Sequence, residues 1–112
     1  MTNFELFTLI FHALNQEWEE CKDEALGDFL SEINPYRWKE EMSADPAYFE
    51  EFKAFMNGKP IGSDYGFEYA KAYLKTITYY PNLDKYLDEY DEEGWVDGAK
   101  QLLNFLQKEK KK

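Results

Sequence analysis

His12 and Cys21 are the only histidine and the only cysteine in this sequence, and both side chains can do chemistry. A histidine can act as a general base or a metal ligand, and a cysteine can act as a nucleophile when a histidine activates it. Nine positions separate the two, so on one straight helix they point in opposite directions. We therefore predict no cysteine–histidine pair. His12 is interpreted as a solvated surface residue, and Cys21, which continues an apolar stripe, as a buried and inert thiol.

Acidic residues are concentrated between positions 84 and 97, where seven acids accompany a single base. A calcium-binding loop that began at Glu89 would have the required glycine at its sixth position, Gly94. Its twelfth position must supply a bidentate glutamate, but Lys100 stands there instead. The sequence therefore predicts no calcium loop of this kind.

The same acids surround aromatic residues and form a candidate partner-binding surface. Aromatic rings supply desolvated contact at protein interfaces, and the charges around them steer association. The alternative is that the rings belong to the core and the acids only face solvent, which the helical spacing of Tyr86 and Tyr90 favours. The candidate residues are Asp88, Glu89, Asp91, Glu92, Glu93, Trp95 and Asp97.

Carboxylates also occur in adjacent pairs, at Glu40–Glu41 and Glu50–Glu51. Neighbouring residues on a helix point about 100° apart, so these pairs do not converge on one substrate atom by sequence alone. The chain has no dinucleotide fingerprint, no phosphate-binding loop and no serine nucleophile elbow. We therefore predict no catalytic residues, no metal ligands and no cofactor, and a metal-assisted enzyme is the least supported function.

The N-terminal third of the chain predicts one or two helices that would position the other elements. Thr2 and Glu5 have the spacing of a capping box, so a helix should begin there. Its apolar residues cover an arc of about 220°, whereas a surface helix needs only about 100°. This helix is therefore either central in the fold or covered by a second chain. Asp23 can cap a second helix through Ile33, although the apolar spacing also permits one bent helix over residues 3–33.

Four further helices are predicted along the rest of the chain. Asp45-Pro46 is typical of a helix start, and Gly58 is typical of the stop that follows. Apolar residues at intervals of three and four predict the others at residues 65–78, 83–90 and 95–108, with Glu92–Gly94 as a turn before the last.

No segment alternates apolar and polar residues over the length of a strand. The sequence therefore predicts an all-α fold, a compact irregular bundle of five to six helices with a central N-terminal helix. The chain has 112 residues, of which 44% are apolar, and no linker-like stretch. We expect a single domain over residues 1–112 that ends in a short basic tail at 108–112.

Charge and apolar content restrict the environment and the partners. The formal net charge is −10, and the basic tail contributes +3, so residues 1–107 carry −13. Such a body repels the phosphate backbone, which argues against nucleic acid as a partner. The apolar run at residues 6–14 is far shorter than the roughly 20 residues that span a bilayer, so we expect no membrane association. A lone cysteine suits a reducing compartment, and we expect a cytoplasmic location.

Two classes of function fit these features. The first is a non-catalytic acidic module that binds a basic protein partner, one version being an immunity or antitoxin-like inhibitor that covers the basic active site of a nuclease. The second is a structural subunit or a homodimer that associates through the apolar face of the first helix. The first class predicts salt-sensitive capture of a partner, and the second predicts a stable dimer.

Overall fold

In the computed structural model, which describes residues 1–110, the chain forms five α-helices and one 3₁₀ helix, with no strand in that range. The elements are α1 (Asn3–Cys21), α2 (Glu24–Ile33), α3 (Pro46–Met56), α4 (Phe67–Thr76), the 3₁₀ helix (Leu83–Glu89) and α5 (Glu92–Lys110). The predicted all-α bundle is confirmed. No helix within the described range is long and apolar enough to cross a membrane. Lys111 and Lys112 of the predicted basic tail lie outside the described residues, as does the side chain of Lys110.

Helix α1 begins where its capping chemistry predicts and lies at the centre of the bundle. The Thr2 hydroxyl accepts a hydrogen bond from the Glu5 N–H at 3.1 Å, and the Glu5 carboxylate accepts one from the Thr2 N–H at 2.7 Å. The helix contacts α2, α3, α5 and the 3₁₀ helix. Its buried residues are Leu6, Phe7, Thr8, Leu9, Ile10, Ala13 and Leu14. Most of the wide apolar arc is therefore covered by this chain's own elements.

The first two helices are separate. Lys22 adopts the left-handed conformation, with φ of 52°, and this ends α1. The Asp23 carboxylate then accepts a hydrogen bond from the Leu26 N–H at 2.9 Å and caps α2. Cys21 is exposed at the end of α1, so the prediction of a buried thiol is wrong. The last buried residue of α1 is Leu14, and Trp18, one turn further along, is only partly buried against the core.

The segment between α2 and α3 has no regular helix and is anchored by Ser43. This side chain is buried, and its hydroxyl accepts a hydrogen bond from the Phe49 N–H at 3.0 Å and donates one to the Asp45 carbonyl at 2.5 Å. Asp45 in turn caps α3, which begins at Pro46 as the sequence predicts. Trp38, earlier in the segment, is half exposed.

Helix α4 begins two residues later than its apolar pattern predicts. Tyr65 and Gly66 have positive φ angles of 51° and 80°, so neither belongs to a right-handed helix, and the first helical residue is Phe67. This turn lies directly against α1, since a Cβ added at Gly66 would be 2.6 Å from Leu6 Cδ2. The glycine therefore permits both the backbone conformation and the close approach.

A half-buried carboxylate joins three segments of the fold. Glu32, on α2, accepts hydrogen bonds from the Tyr48 hydroxyl at 3.2 Å and from the Tyr80 hydroxyl at 2.9 Å. Both tyrosine rings also contact Phe29, with centroid distances of 5.4 and 5.3 Å. Burial, followed by the hydrogen bond and the charge of Glu32, raises the pKa of Tyr80 to about 12. The hydroxyl therefore keeps its proton and remains a donor at neutral pH.

Helix α5 begins three residues before its predicted start. Glu92 and Glu93 form its first turn, where the helix dipole favours acidic side chains. The Asp91 carboxylate accepts a hydrogen bond from the Gly94 N–H at 2.7 Å, which is the bond that a cap residue makes. The prediction of a turn at Glu92–Gly94 is therefore wrong, because the cap at Asp91 carries the helix through the glycine.

Candidate binding groove and acidic surface

The structure separates the seven residues of the predicted partner-binding surface into two groups. Six of them are exposed acids, which we call the acidic surface: Asp88, Glu89, Asp91, Glu92, Glu93 and Asp97. Trp95 is only 2% exposed and belongs to the core. In this fold it therefore cannot serve as the exposed aromatic anchor that the sequence suggested.

Trp95 is fixed in the core by a hydrogen bond and by ring packing. Its indole N–H donates to the Tyr65 carbonyl at 3.0 Å, and its ring lies 5.3 Å from that of Phe67. The spacing along α5 is consistent with this position, because Trp95, Ala99 and Leu102 are all buried and recur at intervals of four and three residues. The ring is still close to the surface, since it forms part of the wall of a groove.

The groove lies between α1 and α5 and has a volume of about 360 Å³. We call it the α1/α5 groove. Helix α1 contributes Leu9, His12, Ala13 and Gln16, the 3₁₀ end contributes Tyr90, and α5 contributes Gly94, Trp95, Gly98, Gln101, Leu102 and Phe105. Most of these side chains are apolar or aromatic. Phe105 is 52% exposed, so an aromatic ring stands open to solvent at the groove.

Two glycines leave the α5 wall of the groove without a side chain at two positions. Gly94 and Gly98 lie one helical turn apart on α5, and both line the groove. A Cβ added at Gly98 would have no heavy atom within 4 Å, so the space beside it is open. A Cβ added at Gly94 would be 3.0 Å from a carboxylate oxygen of Asp91, which brings the acidic surface to the edge of the groove.

Four polar side chains of the lining, those of His12, Gln16, Tyr90 and Trp95, are hydrogen-bonded within the chain. The Tyr90 hydroxyl is bonded to the Ala13 carbonyl at 3.2 Å and to the Gln16 side-chain oxygen at 3.1 Å. His12 Nε2 is 2.5 Å from the Tyr36 hydroxyl, and partial burial lowers the pKa of His12, which favours the neutral imidazole. The prediction that His12 is solvated is therefore incomplete, because it is exposed but also hydrogen-bonded at the rim. The groove offers contact area more than an array of free polar groups.

The Tyr90 end of the groove is acidic on both sides. Burial, and then the charges of Glu17 and Glu20, raise the pKa of Tyr90. Burial and the charges of Glu20 and Glu89 likewise raise the pKa of Glu17. Carboxylates of α1 and of the 3₁₀ helix therefore repel one another beside Tyr90. Sequence reasoning missed Glu17 and Glu20, because they lie about seventy positions before the acidic run that they extend.

Among residues 1–109, the histidine, cysteine and carboxylate side chains form no group of three that could hold a metal ion. Cys21 and His12 are also far apart along α1. His12 contacts Tyr36 near the middle of the helix, and Cys21 is the exposed last residue of the helix.

No protein-family model, no curated protein and no solved structure matches this chain.

Proposed function

We propose that this protein is a non-catalytic module that binds a basic segment of another protein. The observation that carries the proposal is the position of the acidic surface at one end of an apolar groove. Apolar contact supplies binding energy, and charge around it steers the partner and fixes its orientation. The combination suits a partner with both lysine or arginine side chains and apolar ones.

The lack of internal compensation for the acids supports the same proposal. In the part of the chain whose side chains are described, the ion pairs are Lys22–Glu19, Lys53–Glu50 and Lys71–Glu68, and none uses the acidic surface. Repulsion between like charges one turn apart, such as Glu17 and Glu20, costs about 0.2–0.5 kcal/mol. Basic groups from a partner would relieve this repulsion, so binding would recover stability that the free chain lacks.

A narrower form of the proposal is an immunity or antitoxin-like inhibitor. Here the acidic surface would cover the basic active site of a nuclease and exclude its substrate by occupying the site. The charge of the body, −13 over residues 1–107, is of the sign that such a partner requires.

The test is capture from an extract of the source cell at low and high salt, followed by titration of the purified partner. We expect binding at about 50 mM salt and release at about 500 mM, because screening weakens exposed charge pairs. The variant Glu89→Gln/Asp97→Asn should weaken binding several-fold. The control Glu40→Gln/Glu41→Gln changes the net charge equally, at two exposed residues that do not line the groove, and should leave binding unchanged. Equal effects of the two variants would contradict a local acidic site.

A homodimer or structural subunit remains the alternative. The wide apolar arc of α1 no longer requires a second chain, because α2, α3, α5 and the 3₁₀ helix cover most of it. Light scattering on the purified protein separates the two functions. A mass of one chain, 13.4 kDa, favours the binding module, whereas a stable dimer with no salt-sensitive partner would overturn the proposal.

A further inference from the structure

The shape of the α1/α5 groove restricts what can occupy it. Its α5 wall extends from Gly94 to Phe105, which is about 16 Å at the rise of an α-helix, or three turns. A helix of that length presents apolar side chains along one face at positions i, i+3 or i+4, and i+7. The groove therefore has the length of a short helical segment.

The groove lining suits an apolar helix face better than a polar small molecule. Small-molecule sites use a few convergent polar groups to orient the ligand. Here the Tyr90 hydroxyl, the Trp95 indole N–H and His12 Nε2 already have partners within the chain. Leu9, Leu102 and the half-exposed ring of Phe105 supply apolar contact instead.

Gly98 is the residue whose presence the isolated fold does not explain. A glycine inside a helix costs about 1 kcal/mol relative to alanine, because it loses more backbone freedom on folding. Apart from its chain neighbours and the backbone of its own helix, nothing in the described chain lies within 4 Å of its Cβ position, and no positive φ requires a glycine there. What the missing side chain provides is open space in the wall of the groove.

The charges at the two ends of the groove favour one orientation of a bound helix. At the Tyr90 end, Asp91 reaches the groove edge beside Gly94, and Glu17 and Glu89 lie close enough to repel each other. Beyond Phe105, at the other end of the lining, α5 continues to Lys108. A helix in the groove would therefore be favoured with its basic residues at the Tyr90 end and its neutral or acidic residues beyond Phe105.

We propose that the α1/α5 groove binds an amphipathic helix of about three turns, with an apolar side chain seated over Gly98 and lysine or arginine residues at the Tyr90 end. This inference rests on the proposed function and specifies the class of segment that the protein recognises. The helix is contributed by a different protein, since two copies that each carry a net charge of −10 repel each other as whole molecules.

The first experiment is selection from a displayed library of helical 16-residue peptides of free composition. We expect enrichment of peptides with apolar residues at i, i+3 or i+4, and i+7, and with lysine or arginine clustered at one end. The inference is overturned if no peptide is enriched, which is the result expected for a groove that binds a small molecule. It is also overturned if the enriched peptides lack the apolar pattern.

The second experiment measures the affinity of the best peptide for groove variants. Gly98→Leu fills the open space, and we expect binding to weaken by about tenfold or more while thermal stability is retained or increased. Phe105→Ala removes the exposed ring without touching the core and should also weaken binding. Asn104→Leu adds the same leucine to α5 outside the groove lining, and its affinity should remain within about twofold of the wild type.

The outcomes distinguish this inference from the proposed function. Unchanged affinity in both Gly98→Leu and Phe105→Ala overturns the groove as the helix site. If Glu89→Gln/Asp97→Asn still weakens capture of the cellular partner in that case, the proposed function is retained and only the groove is excluded as the binding site. A dimer that dissociates on Gly98→Leu substitution would identify the occupant as a second copy and would also overturn the inference.

Discussion

Helical spacing along α5 places Trp95 on the buried side of that helix, in phase with Ala99 and Leu102. Acids on both sides of Trp95 in the sequence suggested an aromatic anchor within a charged surface. In the structure its indole N–H instead donates to the Tyr65 carbonyl, while Glu92, Glu93 and Asp97 of the same helix are exposed. For Trp95, the structure therefore favours the alternative in which the ring belongs to the core.

We expect Trp95→Ala to lower the free energy of unfolding by about 3–5 kcal/mol, because it removes a large buried side chain and leaves a cavity. Urea denaturation measures the change. Trp38→Ala is the control, since that ring is 48% exposed and its loss should cost less than about 1 kcal/mol. A Trp95→Ala protein of normal stability that has lost partner binding would restore the anchor hypothesis.

His12 should make the stability of this protein depend on pH in one direction. Burial lowers its pKa in the folded chain below the ordinary value of 6.5, so the unfolded chain takes up a proton more readily. The neutral His12 therefore contributes stability above pH 6.5, and this contribution is lost as the pH falls below that value. His12→Gln removes the effect. Between pH 7.5 and pH 5.5, the melting temperature of the wild type should fall further than that of the variant. An equal fall in both proteins would contradict the prediction.

At the scale of elements, signals carried by neighbouring residues predicted the structure well. The Thr2–Glu5 capping box, the Asp23 cap and Asp45-Pro46 each define a helix start through chemistry within a few residues. The errors arose where the outcome depends on distant parts of the chain. Cys21 continues an apolar stripe, but its contact with Tyr86 of the 3₁₀ helix leaves it exposed.

The start of α4 depends on a contact that the sequence could not reveal. Gly66 combines φ of 80° with a close approach to Leu6 on α1. We expect Gly66→Ala to destabilise the protein by about 2–4 kcal/mol, from the left-handed conformation together with the clash. Gly62→Ala is the matched control, because its added Cβ meets nothing within 4 Å. Thermal and urea denaturation measure both, and equal stability of the two variants would show that the α4 turn can relax.

At the scale of the whole molecule, the candidate site is a product of the fold. The Tyr90 hydroxyl reaches the Ala13 carbonyl across 77 positions of sequence, and the α1/α5 groove exists because the fold places α1 beside α5. Helical periodicity predicted the inward side of each helix, although Cys21 on that side of α1 is exposed, and it carried no information about which helices would be neighbours. For the same reason, the contribution of Glu17 and Glu20 to the acidic end could not be predicted.

The net charge also favours one kind of association over another. A body that carries −13 over residues 1–107 repels a second copy of itself and attracts basic proteins over about 10 Å at 0.1 M salt. The proposed binding should therefore form quickly at low ionic strength and weaken as salt increases. The apolar groove should be less sensitive to salt, so high salt should reduce the affinity without removing the preference for an apolar helix face.

The link between Glu32 and its two tyrosines has a consequence for the alkaline limit of the fold. Each hydroxyl must keep its proton in order to donate to the carboxylate, and a tyrosinate there would place two negative charges side by side. The pKa of Tyr80 is raised to about 12, against about 10 in the unfolded chain. The stability that this link contributes is complete below pH 10 and is lost as the pH rises towards 12. In strong base, α2, α3 and the segment before the 3₁₀ helix therefore lose the carboxylate that joins them.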